Sequence, residues 1–166
     1  HRNGYLGWRN VANLPEVRLE DDEVRARLIE GAESVVQYYL RDIDVDGWRL
    51  DVAPDVGFEY LGLITENSHA AKSDSVVIGE CWNYPEEWAG VMDGILNMHA
   101  RTLILELCQN RLTPAHASRC FDQMVEDAGI DGILMSHMVL DNHDTPRLGT
   151  LIADAGERRI ARQLQF

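Results

Sequence analysis

One stretch decides the fold, Asp46-Gly47-Trp48-Arg49-Leu50-Asp51-Val52-Ala53, which predicts a short strand ending in a carboxylate. Side chains alternate between the two faces of a strand, so the apolar residues of this stretch share one face. Arg49 and Asp51 share the other face, two residues apart. Buried charges cost free energy unless they are paired. The pattern by itself fits a structural ion pair as well as it fits a functional site.

Around this stretch, apolar strand patterns alternate with helical ones. After a loop over residues 1–20, the apolar spacing predicts helices over residues 22–41, 57–71, 99–110, 113–127 and 157–166. Strands are predicted over residues 47–53, 75–80, 94–97 and 133–140. Such alternation is typical of an α/β domain with a parallel sheet. A chain of 166 residues is long enough for one such core.

Composition excludes several classes of function. The net charge is −13, and no basic patch is present to neutralise phosphates, so we expect no nucleic-acid partner. No apolar run approaches the roughly 18 residues of a membrane span, so we expect no membrane role. No basic and apolar leader is visible, which favours the cytoplasm but leaves the location open. Lys72 is the single lysine among 15 basic residues, which fits adaptation to high salt and an arginine-rich coding bias equally.

The cysteines give no metal or disulfide pattern. Cys81, Cys108 and Cys120 are three in number and lack a CxxC spacing, so buried free thiols are expected.

Three carboxylates lie at or just past the ends of separate predicted strands: Asp51, Glu80 and Asp144. The carboxyl ends of parallel strands meet at one edge of the sheet, where the active sites of α/β folds form. Arg49 precedes the first carboxylate and His143 precedes the third. Clustered carboxylates without metal-ligand spacing fit the cleavage of glycosidic bonds, which needs one acid and one carboxylate.

Three short motifs carry a family resemblance: Gly47-Trp48-Arg49-Leu50-Asp51-Val52-Ala53, Ile78-Gly79-Glu80 and Asp141-Asn142-His143-Asp144. Together they resemble motifs of the α-amylase family, glycoside hydrolase family 13, in the same order and spacing. Asn13-Leu14-Pro15-Glu16-Val17 resembles a weaker additional motif of that family. The details are most similar to the neopullulanase, cyclomaltodextrinase and maltogenic amylase branch.

The resemblance implies a role for each matching residue. Asp51 corresponds to the nucleophile, Glu80 to the general acid and base, and Asp144 to the third carboxylate, which binds sugar hydroxyls. Arg49 corresponds to the arginine that orients the nucleophile. His143 corresponds to the histidine that donates to the sugar in the first subsite.

Aromatic residues crowd the loop behind Glu80, namely Trp82, Tyr84 and Trp88. Sugar stacking and ordinary loop packing explain them equally well. We assign Trp82 to substrate binding. Asn97 and the remaining histidines are expected to be structural.

The family fold implied by the resemblance is a (β/α)8 TIM barrel, of which four predicted strands correspond to about strands 4 to 7. Residues 1–166 are therefore expected to be a fragment of a single catalytic domain, with parts of the barrel missing on both sides. No cofactor is expected. Family members often bind calcium partly through the missing region, so no metal site is assigned.

The resulting hypothesis is a retaining α-glucan hydrolase or transglycosylase that cleaves α-1,4 and also α-1,6 glucosidic bonds. Its expected substrate is a maltooligosaccharide, cyclodextrin, pullulan or starch, and a homodimer of the full-length protein is a further expectation. The alternative is a non-catalytic amylase-like module that binds carbohydrate or a partner. The isolated fragment is expected to be inactive under both readings.

Overall fold

Three parallel strands form one sheet in the computed structural model, which describes residues 4–88 and 90–166. The strands are β1 (Gly47–Leu50), β2 (Val76–Cys81) and β3 (Gly94–Asn97), in that spatial order. Leu50 of β1 pairs with Gly79, and Glu80 of β2 pairs with Leu96. The carboxyl ends of all three strands therefore share one edge, as the alternating pattern predicts. Residues 1–3 of the predicted first loop lie outside the described residues.

Helices connect and cover these strands. They are α1 (Asp22–Arg25), α2 (Val35–Arg41), α3 (Ala53–Val56), α4 (Phe58–Ala71), α5 (Met98–Cys108), α6 (Pro114–Leu134), α7 (Leu148–Leu151) and α8 (Ala155–Gln165). Short 3-10 turns occupy Trp8–Asn10 and Glu86–Trp88, and a π-helical turn occupies Ala26–Glu30. The predicted strands at β2 and β3 and the predicted helices at α4, α5 and α8 are confirmed within a few residues. No helix in the described ranges is long and apolar enough to cross a membrane.

Two apolar clusters hold these elements together. The larger packs the helices before and after β1 against the sheet, through Ile29, Leu40, Leu61, Val77 and Ile95. The smaller joins α5 to the last two helices through Ile104, Leu140, Leu148, Ile152 and Ala161. Burying one large aliphatic side chain contributes about 1.5–3 kcal/mol. These clusters therefore fix the frame on which the strand ends are held.

The predicted helix over residues 22–41 is wrong as one continuous element. The chain forms α1, the π-helical turn and α2, with a break at Gly31. Gly31 leaves the helix in an extended conformation, with φ −67° and ψ 148°. A Cβ there would lie 2.4 Å from the Ala26 carbonyl oxygen, so this close turn requires a glycine. Ser34 then caps α2 by accepting from the Gln37 N–H at 3.3 Å. The apolar spacing continues across the break because both helices pack on the same core.

The predicted fourth strand over residues 133–140 is largely wrong. Helix α6 continues to Leu134, past a non-helical residue, Gly129, whose φ is 73°. Only His137 then pairs with β3, in a parallel bridge opposite Leu96. The His137 N–H donates to Ile95 at 2.6 Å, and its carbonyl accepts from Asn97 at 3.1 Å. A short apolar run cannot distinguish a helix end from a buried strand, but the bridge does place this segment beside β3.

Candidate active site

Strand β1 ends one residue before the first carboxylate. Asp51 lies in the turn after Leu50, and Val52 adopts a left-handed conformation with φ 43° and ψ 46°. Helix α3 begins at Ala53, with Pro54 in its first turn. The predicted strand over residues 47–53 is therefore three residues too long, because a left-handed residue cannot continue a strand. The sharp turn leaves the Asp51 side chain 69% exposed.

The guanidinium of Arg49 bridges two of the predicted catalytic carboxylates. Its Nη1 donates to Oδ1 of Asp51, and its Nη2 lies 3.2 Å from Oε2 of Glu80. The register explains this, since β1 and β2 pair at Leu50 and Gly79, one residue before each carboxylate. The face of β1 that carries Arg49 therefore lies toward Glu80 of β2. The ion pair of Arg49 joins residues from two strands.

Glu80 is buried at the carboxyl end of β2, with 3% of its surface exposed. Three donors surround its carboxylate. Oε2 accepts from the Val52 N–H at 3.1 Å and faces Arg49, whereas Oε1 accepts from Nε1 of Trp82 at 3.2 Å. A buried carboxylate needs such partners. The sequence did not predict the hydrogen bond from the Val52 N–H, because a valine gives no indication that its backbone is left-handed.

The turn that carries His143 and Asp144 follows the segment bridged to β3. The Asp144 N–H donates to Asn142 at 3.1 Å, and Oδ2 of Asp144 lies 3.2 Å from Nε2 of His143. Both side chains are exposed, at 71% for His143 and 50% for Asp144. The turn lies at the same edge of the sheet as the other two carboxylates. Within residues 4–88 and 90–166, however, no hydrogen bond or ion pair joins it to Arg49 or Glu80.

Asp141 holds this turn in place through contacts with the start of α7. Its carboxylate accepts from the Leu148 N–H at 2.7 Å and from Nη1 of Arg147 at 2.9 Å. The Leu148 amide first and Arg147 second hold the pKa of Asp141 below its ordinary value, against the effect of partial burial. Nε of the buried Arg101 also donates to the Leu140 carbonyl at 2.9 Å. These contacts position the turn without involving His143 or Asp144.

Two of the three loop aromatics pack against protein. Trp88 is 5% exposed and stacks on Phe58 with ring centroids 4.4 Å apart. The Tyr84 hydroxyl donates to Asp127 at 2.7 Å, and its ring meets His99 edge-on at 5.0 Å. Burial and then the hydrogen bond to Asp127 raise the pKa of Tyr84 to about 12. Of the three, Trp82 alone is largely exposed, at 52%, and contacts a predicted catalytic residue.

A cavity of about 780 Å³ opens beside Asp51. Its walls come from the first loop and from the turn and helices after β1, and include Trp8, Asn13, Asp55 and Tyr60. Nε1 of Trp8 donates to Oδ2 of Asp55 at 2.8 Å, which ties the loop to α3. The sequence predicted a loop over residues 1–20, but not which of its residues would lie beside Asp51.

Asn97 and His69, which the sequence predicted to be structural, make contacts within the fold. Asn97 is buried and caps α5 by accepting from the Ala100 N–H at 2.9 Å. His69 pairs with Asp93 at 2.9 Å at the opposite, amino-terminal end of the sheet. In the described residues, no three His, Cys, Asp or Glu side chains are placed to hold a metal ion.

The fold and the position of the carboxylates define the class: a parallel α/β domain with acidic residues at the carboxyl ends of neighbouring strands. The family model for the α-amylase catalytic domain matches residues 1–165. The chain belongs to the α-amylase catalytic domain family. The sheet and its helices are accordingly part of a (β/α)8 barrel.

Individual relatives agree with this assignment. A cyclomaltodextrinase of Thermoanaerobacter pseudethanolicus is 30% identical over 155 residues, covering 87% of this chain and 24% of that protein. A maltogenic alpha-amylase of Bacillus acidopullulyticus is 27% identical over 167 residues, covering 95% and 27%. The solved debranching enzyme of Nostoc punctiforme matches in fold with a TM-score of 0.86 at 23% identity, covering 96% of this chain and 36% of that one. The chain spans about a quarter of the length of these curated relatives.

Proposed function

We propose that this chain is the catalytic part of a retaining α-glucan hydrolase or transglycosylase. The observation that carries the proposal is the Arg49 guanidinium, which holds Asp51 and Glu80 side by side at the carboxyl end of two paired strands. A retaining mechanism needs two carboxyl groups about 5–5.5 Å apart. Two carboxylates bound to the two terminal nitrogens of one guanidinium are held within that order of separation.

The two carboxylates differ in a way that suits different roles. Asp51 is exposed beside the cavity, where an anomeric carbon can reach it. Glu80 is buried and surrounded by donors. In the first step Glu80 gives its proton to the glycosidic oxygen, the bond from that oxygen to C1 breaks, and Asp51 forms an ester bond to C1. In the second step Glu80 takes a proton from water, which attacks C1 and releases Asp51.

Arg49 keeps the nucleophile in place by a charge-assisted hydrogen bond. Asp144 and His143 lie at the same edge and are exposed, so they are free to bind sugar hydroxyls when a glucan fills the space between the two parts of the site. Among the described residues, Asp144 and His143 make no hydrogen bond or ion pair with Arg49 or Glu80. This fits two parts of a site that bind the same substrate from different sides.

The substrate class rests on the relatives and on the cavity. Curated relatives are named cyclomaltodextrinase and maltogenic alpha-amylase, and a structural neighbour is named a debranching enzyme. The cavity beside Asp51 is lined by aromatic and polar residues that suit sugar rings. We therefore propose maltooligosaccharides and cyclodextrins as substrates, with pullulan or starch as further glucans, and α-1,4 as well as α-1,6 bonds as targets.

The test is hydrolysis by the full-length protein that contains this chain. Asp51→Asn is expected to lower kcat for release of reducing sugar from a cyclodextrin by at least about a thousandfold, because the nucleophile is lost. Asp74→Asn is the matched control, since it makes the same chemical change at the amino-terminal end of the sheet, just before β2.

The stereochemistry of the product is a second test of the proposed mechanism. Proton NMR of the first product is expected to show the α-anomer, which is retention. A product of inverted configuration, or full turnover by Asp51→Asn, would overturn the mechanism. Binding of glucan by a wild-type protein that hydrolyses none would favour the non-catalytic module instead.

A further inference from the structure

The two oxygens of the Glu80 carboxylate have different partners. Oε2 accepts from the Val52 N–H at 3.1 Å and lies 3.2 Å from Nη2 of Arg49. Oε1 accepts only from Nε1 of Trp82, at 3.2 Å, among the described residues. Glu80 is 3% exposed, so little water is available to replace a lost partner.

This division assigns the proton that the acid must carry. A protonated carboxyl group bears one hydrogen on one oxygen. A proton on Oε2 would point at the Val52 amide or at the guanidinium, both of which only donate. The proton therefore belongs on Oε1, whose remaining lone pair still accepts from the indole. The oxygen that gives the proton to a glycosidic bond is the one that Trp82 contacts.

We propose that Trp82 is a positioning residue that acts through Glu80, with its indole N–H fixing Oε1 and setting the pH range over which the acid stays protonated. This rests on the proposed function. The indole N–H only donates, and it binds an ionised oxygen more strongly than a protonated one. A variant without this N–H loses the donor to Oε1 and is expected to keep the proton of the acid to higher pH.

Other charged groups near Glu80 are accounted for. Arg49 and Asp51 face it from β1 and from the turn after it, and both are engaged with each other. Asp55 of α3 accepts from Trp8. Cys81 follows Glu80 on β2, and burial first and the charge of Glu80 second raise the pKa of its thiol to about 11, so it stays neutral near pH 7. Strand β3 carries no titratable side chain.

The first test is the pH profile of kcat/KM for Trp82→Phe in the full-length protein. An aromatic ring is kept and the N–H is lost, so the alkaline limb is expected to move up by roughly one pH unit. Trp88→Phe is the matched control, because it also removes an indole N–H, from a buried ring that does not contact Glu80. Its limb is expected to stay where the wild-type limb lies.

An unmoved limb in Trp82→Phe, with only KM raised, would overturn the proposal and leave Trp82 as a stacking residue. A second measurement does not depend on turnover. The ¹³C NMR titration of the Glu80 carboxyl, identified by its loss in Glu80→Gln, should move to higher pH in Trp82→Phe and stay unchanged in Trp88→Phe. A shift in this titration without any hydrolysis by the wild type would reject the proposed function and keep the role of Trp82.

Discussion

At the scale of single residues, the site depends on one strained position. Val52 is β-branched, yet its φ is 43°, in a region where such residues carry roughly 1–3 kcal/mol of strain. The strain has a compensation, since this conformation turns the Val52 N–H toward Glu80. The motifs around Asp51 and Glu80 predicted that these two residues lie close together. They did not predict the hydrogen bond from the Val52 N–H to Glu80, because that bond depends on the backbone conformation of Val52 and not on its side chain.

Asp141 gives a prediction at this scale. Its pKa lies below the ordinary aspartate value of about 3.9, because the Leu148 amide and Arg147 favour the charged form. A lowered pKa in the folded state contributes stability that is fully present above the ordinary value and is lost as pH falls through the folded value. Asp141→Asn should therefore lower the free energy of unfolding by about 1 kcal/mol at pH 7.

Urea unfolding of the full-length protein at pH 7 and near pH 3 measures this. The difference between wild type and Asp141→Asn should shrink at the lower pH, where the wild-type carboxylate begins to take up its proton. Asp74→Asn, in the exposed turn before β2, should show little difference at either pH. An equal difference for Asp141→Asn at both pH values would contradict the assigned cause.

At the scale of elements, the sequence predicted β2 and β3 more accurately than β1, the fourth strand or the helix over residues 22–41. β2 and β3 are short, apolar and bounded by polar turns, and the sequence located both within a residue or two. α1 and α2 share one apolar face across a break, so periodicity predicted a single helix. The segment at residues 133–140 is apolar except for Ser136 and His137, and only the packing against β3 determines that one residue of it pairs with the sheet.

The close contact of β1 and β2 gives a prediction from two glycines. A Cβ at Gly47 would lie 1.9 Å from the Val76 carbonyl oxygen, whereas nothing lies within 4 Å of a Cβ at Gly62 on α4. Gly47→Ala should lower the free energy of unfolding by about 1–3 kcal/mol, because the strands must move apart. Gly62→Ala should raise it by about 0.5–1 kcal/mol, since alanine loses less entropy in a helix.

Chemical denaturation of both variants decides the matter. Gly47→Ala should also lower kcat, because β1 carries Arg49 toward Glu80. Gly62→Ala should leave kcat unchanged. Equal stability of the two variants would mean that β1 and β2 pack less closely than described.

At the scale of the whole molecule, the described chain leaves much of its apolar surface uncovered. β1 pairs on one side only, and β3 has a single bridge on its outer side. Large apolar side chains such as Ile130, Leu134 and Phe166 are exposed, at 57%, 73% and 101%. Open strand edges and apolar faces of this kind are covered in a closed barrel.

The isolated chain of 166 residues is therefore expected to bind a hydrophobic dye, to associate, and to hydrolyse no glucan, whereas the full-length protein should do the reverse. Dye fluorescence, light scattering and reducing-sugar release from the two proteins measure this. Cooperative unfolding of the isolated chain together with full turnover would show that these residues form a complete enzyme.

The sequence by itself determined the parallel α/β class, the carboxylates at the ends of β1 and β2, and the family. These follow from local patterns, because a strand end, a buried apolar run and a short motif are each written in neighbouring residues. Only the tertiary structure decided that Arg49 joins Asp51 to Glu80, that Val52 supplies an amide, and that Trp82 and not Trp88 contacts the acid. Those contacts join residues that are far apart in the chain or depend on a backbone angle, and both are fixed by how β1 and β2 pair and pack.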